Sequence, residues 1–455
     1  MKKHLTFALL LAAGLTAHAQ QGGISAEMLQ QIRQSYQATP ADKAIRNALG
    51  TTPIATLAVN QENRANFDTH FSHRVLSKGI TNQKSSGRCW LFTGLNVLRA
   101  QMIAKYDLDE MEFSQNYCFF YDQLEKANLF LQGIIDTRQQ PMEDKMVDWL
   151  FKNALGDGGQ YTGVSDLIEK YGVVPSSVMP ETFQSENTGK ITGLIKLKIK
   201  EYALELRALS KASPKELEKR KVEMLGTVYR MLALAFGEPV TSFTWSLKGG
   251  EAKTYTPQSF YQEFLGNKLT DNYVMLMNDP SRDFYQCYEI DFDRHVYDGR
   301  NWTYVNLPIE DIKEIAIASI KDSTMMYFSC DVGKFLDRER GLLDPNNFDY
   351  ESLMGTTFGM DKKQRIQTYA SGSSHAMTLM AVDLDAAGKP KKWMVENSWG
   401  PSGYNGHLIM TDRWFEEYMF RVVADKKYVP AKVLDILKKK PIRLPAWDPM
   451  FADEE

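Results

Sequence analysis

Cysteine is scarce in this chain: Cys89, Cys118, Cys287 and Cys330 are the four in 455 residues. That excludes a disulfide framework as the source of stability, and if one thiol is a nucleophile the other three allow at most one bridge. Neither sign of charge dominates, with 54 Lys and Arg against 57 Asp and Glu. A net charge of −3 gives no general attraction to nucleic acid or to an acidic membrane surface. The run Lys438-Lys439-Lys440 does not alter that reading in an acidic chain. No CxxC pair and no histidine cluster marks a metal site, and no organic cofactor is implied. No G-x-S-x-G elbow surrounds a serine, so Ser85, Ser86 and Ser374 read as turn residues. Past the N-terminal segment no apolar run is long enough to cross a bilayer. What remains, 43% hydrophobic and 24% charged, is the composition of a soluble globular protein.

Lys2-Lys3-His4, the apolar run Leu5 to Leu15 and the small-x-small triplet Ala17-His18-Ala19 predict a secretory signal over residues 1–19. Its cleavage would take the formal charge from −3 to about −5, because Lys2 and Lys3 leave with it. No cysteine lies near the cleavage site to carry a lipid. The mature chain is expected to be exported, periplasmic or secreted. From Ile24 to Leu57 the pattern predicts a polar lead-in with one short helix, and Phe71 to Gln83 reads as extended. Leu91, Leu95 and Leu98 recur at i, i+4 and i+7, which predicts a helix from Cys89 with one apolar face. Further helices are expected within 113–130, 142–155 and 194–236, the last interrupted by the capping box Ser213-Pro214-Lys215-Glu216. The charged 194–236 stretch reads as a solvated face, with a subunit interface as the second reading. Short aromatic-rich strands are expected from Thr241, and the stretch of about 190–325 is read as one large insertion. The last third is β-rich: Ala376–Val382, the alternation Trp393, Val395, Asn397, Trp399, then a hairpin through Gly403-Tyr404-Asn405-Gly406 into His407–Met410.

The chemistry lies in Gln83-Lys84-Ser85-Ser86-Gly87-Arg88-Cys89-Trp90, in Ser374-His375-Ala376 and in Glu396-Asn397-Ser398-Trp399-Gly400. A thiol is mostly protonated at neutral pH, and the positive end of a helix and a neighbouring imidazolium both favour the thiolate. Cys89 opens the predicted helix; His375, at a strand start, can supply the imidazolium and protonate a leaving amine. Asn397 can accept the second imidazole N–H and fix the tautomer, with Trp399 covering that bond. Gln83 and the Cys89 backbone N–H can donate to a developing oxyanion. Singly, a cysteine or histidine in apolar surroundings is more often structural, and Cys118, within Tyr117-Cys118-Phe119-Phe120, reads as a small buried hydrophobe. Jointly, Cys, His and Asn in this order are the parts of a papain-like cysteine peptidase. His70, His73, His295 and His407 lack such surroundings and read as structural or surface residues.

Asn82 to Trp90 resembles the bleomycin hydrolase and aminopeptidase C family of papain-like peptidases. The resemblance continues through Phe119-Phe120-Tyr121-Asp122, Ile168 to Pro175, Cys330-Asp331-Val332-Gly333, Ser374 to Thr378, Val395 to Gly400, Leu408 to Asp412 and Pro445 to Met450. It covers essentially the whole mature chain. It implies an α+β fold with two lobes, a helical lobe with Cys89 over about 60–190 and a β-rich lobe with His375 and Asn397 over about 326–430. It also implies a homohexamer with active sites facing an internal chamber. The tail, 441–455, is then expected in the active-site cleft, its terminal carboxylate at Glu455 holding a substrate's free amino group. This chain departs from the family in having Phe451 and three acids after Met450.

The reading is therefore an exported cysteine aminopeptidase acting on peptides with free N-termini. Its catalytic residues are Cys89, His375 and Asn397, with Gln83 in the oxyanion hole and Trp90 and Trp399 in support. An endopeptidase or dipeptidyl peptidase is the alternative if the tail is held elsewhere. A non-catalytic peptide- or nucleic-acid-binding hexamer is the alternative from another class.

Overall fold

The structure, a computed structural model, describes residues 22–66, 68–266 and 268–451. The predicted signal and Glu455 lie outside the described residues. Two compact units divide the chain, one made of residues up to 59 with 349–356, the other of 60–348 with 357–455.

The smaller unit is more helical than its polar sequence suggests, with helices Ala26–Ser35, Pro40–Leu49, Ile54–Leu57 and Tyr350–Met354. None buries a residue, and three of the four, all but Ile54–Leu57, begin with a side-chain cap. The Ser25 side chain accepts the Met28 N–H, and Thr39 and Asp42 form a reciprocal capping box ahead of Pro40.

In the larger unit the helix Cys89–Tyr106 is central. Leu91, Leu95 and Leu98 are buried as their spacing predicts, but so is every residue from Cys89 to Arg99. The helix is enclosed all round rather than amphipathic. It ends where Asp107 turns into the left-handed region at φ 51°. Gln115–Asp136, capped by Ser114, and Tyr161–Tyr171 pack on it. Gly189–Ala208 and Pro214–Phe236 follow, the latter begun by the predicted box of Ser213 and Glu216.

Among the described residues twelve strands form one mixed sheet. Its middle runs Met419–Asp425, Met326–Cys330, His375–Leu384, Pro390–Glu396, His407–Thr411, each antiparallel to the next. Strands Tyr273–Met277, Gln286–Ile290 and Thr303–Asn306, from the stretch read as an insertion, extend this same sheet through Met419–Asp425. In the central strands both faces are covered, so residues are buried without alternation. Each fully buried aliphatic or aromatic side chain there contributes about 1.5–3 kcal/mol. Among the described residues no helix is long and apolar enough to cross a membrane, and no group of three His, Cys, Asp or Glu is placed to hold a metal ion.

Candidate active site

The site forms where the start of the central helix meets the ends of two central strands of the sheet, the start of His375–Leu384 and the end of Pro390–Glu396. Cys89 is the helix's first residue, and the preceding turn carries no side-chain cap and no acidic residue in the first helical turn. The helix dipole therefore acts on the sulfur unopposed by a first-turn carboxylate. Cys89 is buried, and the backbone N–H of Ala376 donates to its Sγ at 3.4 Å. That contact sets the thiol against the beginning of the strand His375–Leu384.

His375 and Asn397 stand on adjacent antiparallel segments. His375 Nε2 and Asn397 Oδ1 are 2.8 Å apart. An amide oxygen only accepts, so Nε2 carries the hydrogen and Nδ1 is left as the basic nitrogen. Asn397 Oδ1 also accepts the Ser398 N–H at 2.8 Å, and the backbone N–H of Asn397 donates to Gly406 O at 2.9 Å, which fixes the side-chain oxygen and the main chain that carries it. The Trp399 ring lies 4.7 Å from the His375 ring at 31° and covers this bond, with the Arg338 guanidinium 4.9 Å from the indole on Trp399.

Gln83 is placed by the same strand end. Its N–H donates to Ser398 O at 2.8 Å, and its side-chain Oε1 accepts the Ser398 hydroxyl at 2.6 Å. That assigns Nε2 as the donor end. One of its hydrogens goes to Ser86 O at 2.7 Å; an amide nitrogen has two. The loop between Gln83 and Cys89 is tightly tied. Lys84 takes φ 55°, Arg88 is fully buried and forks onto Glu181 at 2.9 and 3.1 Å, and Ser85 donates to Glu186 O at 3.0 Å. Trp90 donates its indole N–H to Asp157 O at 3.0 Å, while the Asp157 carboxylate accepts the Gly87 N–H at 2.8 Å. A Cβ on Gly87 would stand 2.7 Å from that carboxylate, so only glycine fits. Asp157 thus grips both flanks of Cys89.

The structure brings together Gln83, Cys89, Trp90, His375, Asn397 and Trp399. None of the four cysteines is bridged. Burial, with Asp122 nearby, pushes the Cys118 thiol up to about 12, and burial pushes Cys287 up to about 11. Both are held as inert thiols. Sequence reasoning missed Asp157, Ser398 and the buried pair of Arg99 and Glu396, 2.5 Å apart, whose carboxylate also accepts from Ser77. Arg99 within an apolar helix and Glu396 directly after Trp393-Met394-Val395 are the signals that could have found that pair.

The tail is described as far as Phe451. Ile442–Leu444 pairs in parallel with Gln286–Ile290. Asp448 pairs with Arg282, and buried Arg421 donates to Met450 O at 2.9 Å. The Phe451 ring meets Trp149 at 5.2 Å and 81°. It lines a cavity of about 60 Å³ together with Lys126, Gly156 and His295.

The Peptidase C1-like family matches residues 23–451. Human bleomycin hydrolase is 36% identical over 449 residues, covering 94% of this chain and 98% of that protein. Aminopeptidase C of Lactobacillus delbrueckii subsp. lactis is 35% identical over 442 residues, covering 94% and 98%. The crystal structure of PepW from Lactobacillus rhamnosis HN001 superposes with a TM-score of 0.90 at 37% identity, covering 95% of this chain and all of that one. The α+β architecture and these matches agree: the chain belongs to the Peptidase C1-like family, in its bleomycin hydrolase and aminopeptidase C branch, and is a papain-like cysteine peptidase of the aminopeptidase class.

Proposed function

We propose that the protein removes residues from the free N-termini of peptides by a Cys-His-Asn mechanism. The observation that carries this is the His375–Asn397 bond at 2.8 Å beside a thiol seated on the Ala376 N–H. The Cys89 thiolate attacks the scissile carbonyl carbon, and the oxyanion is met by the Gln83 amide and the Cys89 N–H. The C–N bond breaks as His375 Nδ1 gives its proton to the departing amine. Water then attacks the thioester while His375 takes its proton, releasing the acid and restoring the thiol. Asn397 keeps the imidazole oriented through both steps.

Selection for a free amine falls to the tail. Its described end is anchored through Asp448 and Met450, and Phe451 lines a cavity that also touches Gly156, next to the Asp157 that grips Cys89. A tail carboxylate, Glu455 in this reading, then pairs with the substrate ammonium and sets how many residues precede the scissile bond.

Export and a homohexamer belong to the same proposal. The N-terminal sequence supports the first, and the exposed Leu194, Leu197 and Leu204 on the helix Gly189–Ala208 support the second. Cell fractionation and light scattering test them.

The experiment compares a free aminoacyl fluorogenic substrate with its N-acetylated twin, for the intact chain, Cys89→Ala and a chain ending at Met450. Cleavage of the free amine alone, loss in Cys89→Ala and gain of blocked-substrate cleavage on truncation are expected. Equal cleavage of both substrates by the intact chain would put the tail outside the cleft and make the enzyme an endopeptidase.

A further inference from the structure

Behind the site lies a buried ionic cluster that the mechanism does not use. Lys126 donates to the carbonyls of Gly156, at 3.3 Å, and Gly158, and its ammonium is 3.0 Å from Asp122 and 5.4 Å from the Trp90 ring. Asp122 is buried, and its Oδ1 lies 2.5 Å from His295 Nδ1. On the other side of that ring Nε2 accepts the Gln160 N–H at 3.3 Å. A backbone N–H only donates, so Nε2 is the bare nitrogen and His295 is the neutral Nδ1–H tautomer, which Asp122 enforces. The ring sits edge-on to Trp90 at 4.6 Å. Gly159 and Gly163 approach so closely that a Cβ on either would stand 2.2 or 2.4 Å from His295 Cε1.

Burying such groups is costly, and an apolar filling of equal volume would serve packing as well or better. Lys126 and His295, which Asp122 joins, both make backbone hydrogen bonds to one short loop, 156–160. Lys126 holds its carbonyls, His295 holds its last N–H, and between them Asp157 reaches out to both flanks of Cys89. Burial opposes ionisation of Asp122, but the Lys126 ammonium and the His295 Nδ1–H hydrogen bond hold its carboxyl below the usual range, so the anchor stays charged.

We infer that Asp122, Lys126 and His295 are positioning residues for the nucleophile, acting through the 156–160 loop and its Asp157 grip on Gly87 and Trp90. The inference rests on Cys89 being the nucleophile. A thiol displaced by about 1 Å from its attack geometry loses about 10²-fold in rate, whereas a merely structural cluster would lower stability and leave the rate of each folded site intact.

The test uses His295→Leu, His295→Gln and Lys126→Met in the full chain, with Cys89→Ala alongside. Active sites are counted by iodoacetamide titration, so that kcat is per folded site. Glutamine can accept from Gln160 and donate to Asp122; leucine can do neither. His295→Leu is expected to lower kcat about 10²-fold, with KM within about threefold, and to slow Cys89 alkylation. His295→Gln should recover to within about tenfold of the parent. If His295→Leu does not fold, Lys126→Met and His295→Gln carry the same readouts. A lowered Tm with unchanged kcat per site and unchanged alkylation overturns the inference. Activity surviving in Cys89→Ala would instead sink the nucleophile reading, independently of the His295 result.

Discussion

Glu396 and Arg99 offer the most direct test of how the site is braced. Their side chains are 0% and 4% exposed and 2.5 Å apart, and their residues stand 297 positions apart in the chain. Glu396→Gln keeps the shape and removes only the charge, leaving the Arg99 guanidinium buried without a counter-ion. Removing one partner of a buried pair costs about 3–5 kcal/mol, a large share of a total stability of about 5–15 kcal/mol. Arg99→Met strands the opposite charge and should cost a similar amount, while the double variant recovers most of the loss. Urea unfolding of the four proteins at neutral pH closes the cycle. The damage should also reach catalysis, because Glu396 is fixed opposite Thr378 and His407 and is followed directly by Asn397, the partner of His375. A coupling energy below about 0.5 kcal/mol would refute the reasoning, since independent sites add to within that margin.

Gln83→Ala should lower kcat per folded site by about 10²–10³, as expected for loss of one oxyanion donor, and should also lower Tm because it strands the Ser398 hydroxyl and Ser86 O; a kcat within threefold of the parent would remove Gln83 from that role. Burial raises the Asp166 carboxyl to about 6 although it accepts the Arg300 N–H at 2.9 Å. The folded state holds this proton more tightly than the unfolded chain, so its stabilising contribution is present in acid and is lost as pH rises through about 6. Asp166→Asn keeps the acceptor and should raise stability above that pH by up to about 3 kcal/mol, the gain vanishing on acidification; thermal unfolding against pH measures it. Lys362, buried, donates to Asn278 Oδ1 at 2.7 Å, Glu416 O at 3.0 Å and Met419 O at 2.6 Å. Lys362→Met strands these acceptors at about 1–3 kcal/mol each, and an unchanged Tm would contradict that.

Gln83, Cys89, His375 and Asn397 were legible because each sits in a local context that states its chemistry: a tight turn before a helix, a strand start, a strand end. The capping box at Ser213 and the core leucines of the Cys89 helix were legible for the same reason. Before residue 59 the pattern suggests one short helix where the structure has three, which bury nothing and so rest on no core-facing contact. Strands Tyr273–Met277 and Thr303–Asn306 could be seen as strands, but their membership of the main sheet depends on pairing with Met419–Asp425, far along the chain.

The bracing residues were hidden by a different logic. Asp157 meets Gly87 across 70 positions, and Asp122 meets His295 across 173. No local pattern joins such partners. Three of the bracing residues nevertheless carried a mark: Asp122 follows Phe119-Phe120-Tyr121, Arg99 follows Val97-Leu98, and Glu396 follows Trp393-Met394-Val395. A charge inside a segment too apolar to face water has to find a partner that the fold supplies, since an uncompensated buried ion costs several kcal/mol. The sequence thus shows where compensation is needed, and only the topology shows with what. In this chain that compensation falls at the elements that carry Cys89 and Asn397. Arg99 and Glu396 tie the Cys89 helix to the strand of Asn397, while Asp122, Lys126 and His295 tie the loop of Asp157 to both sides of the thiol.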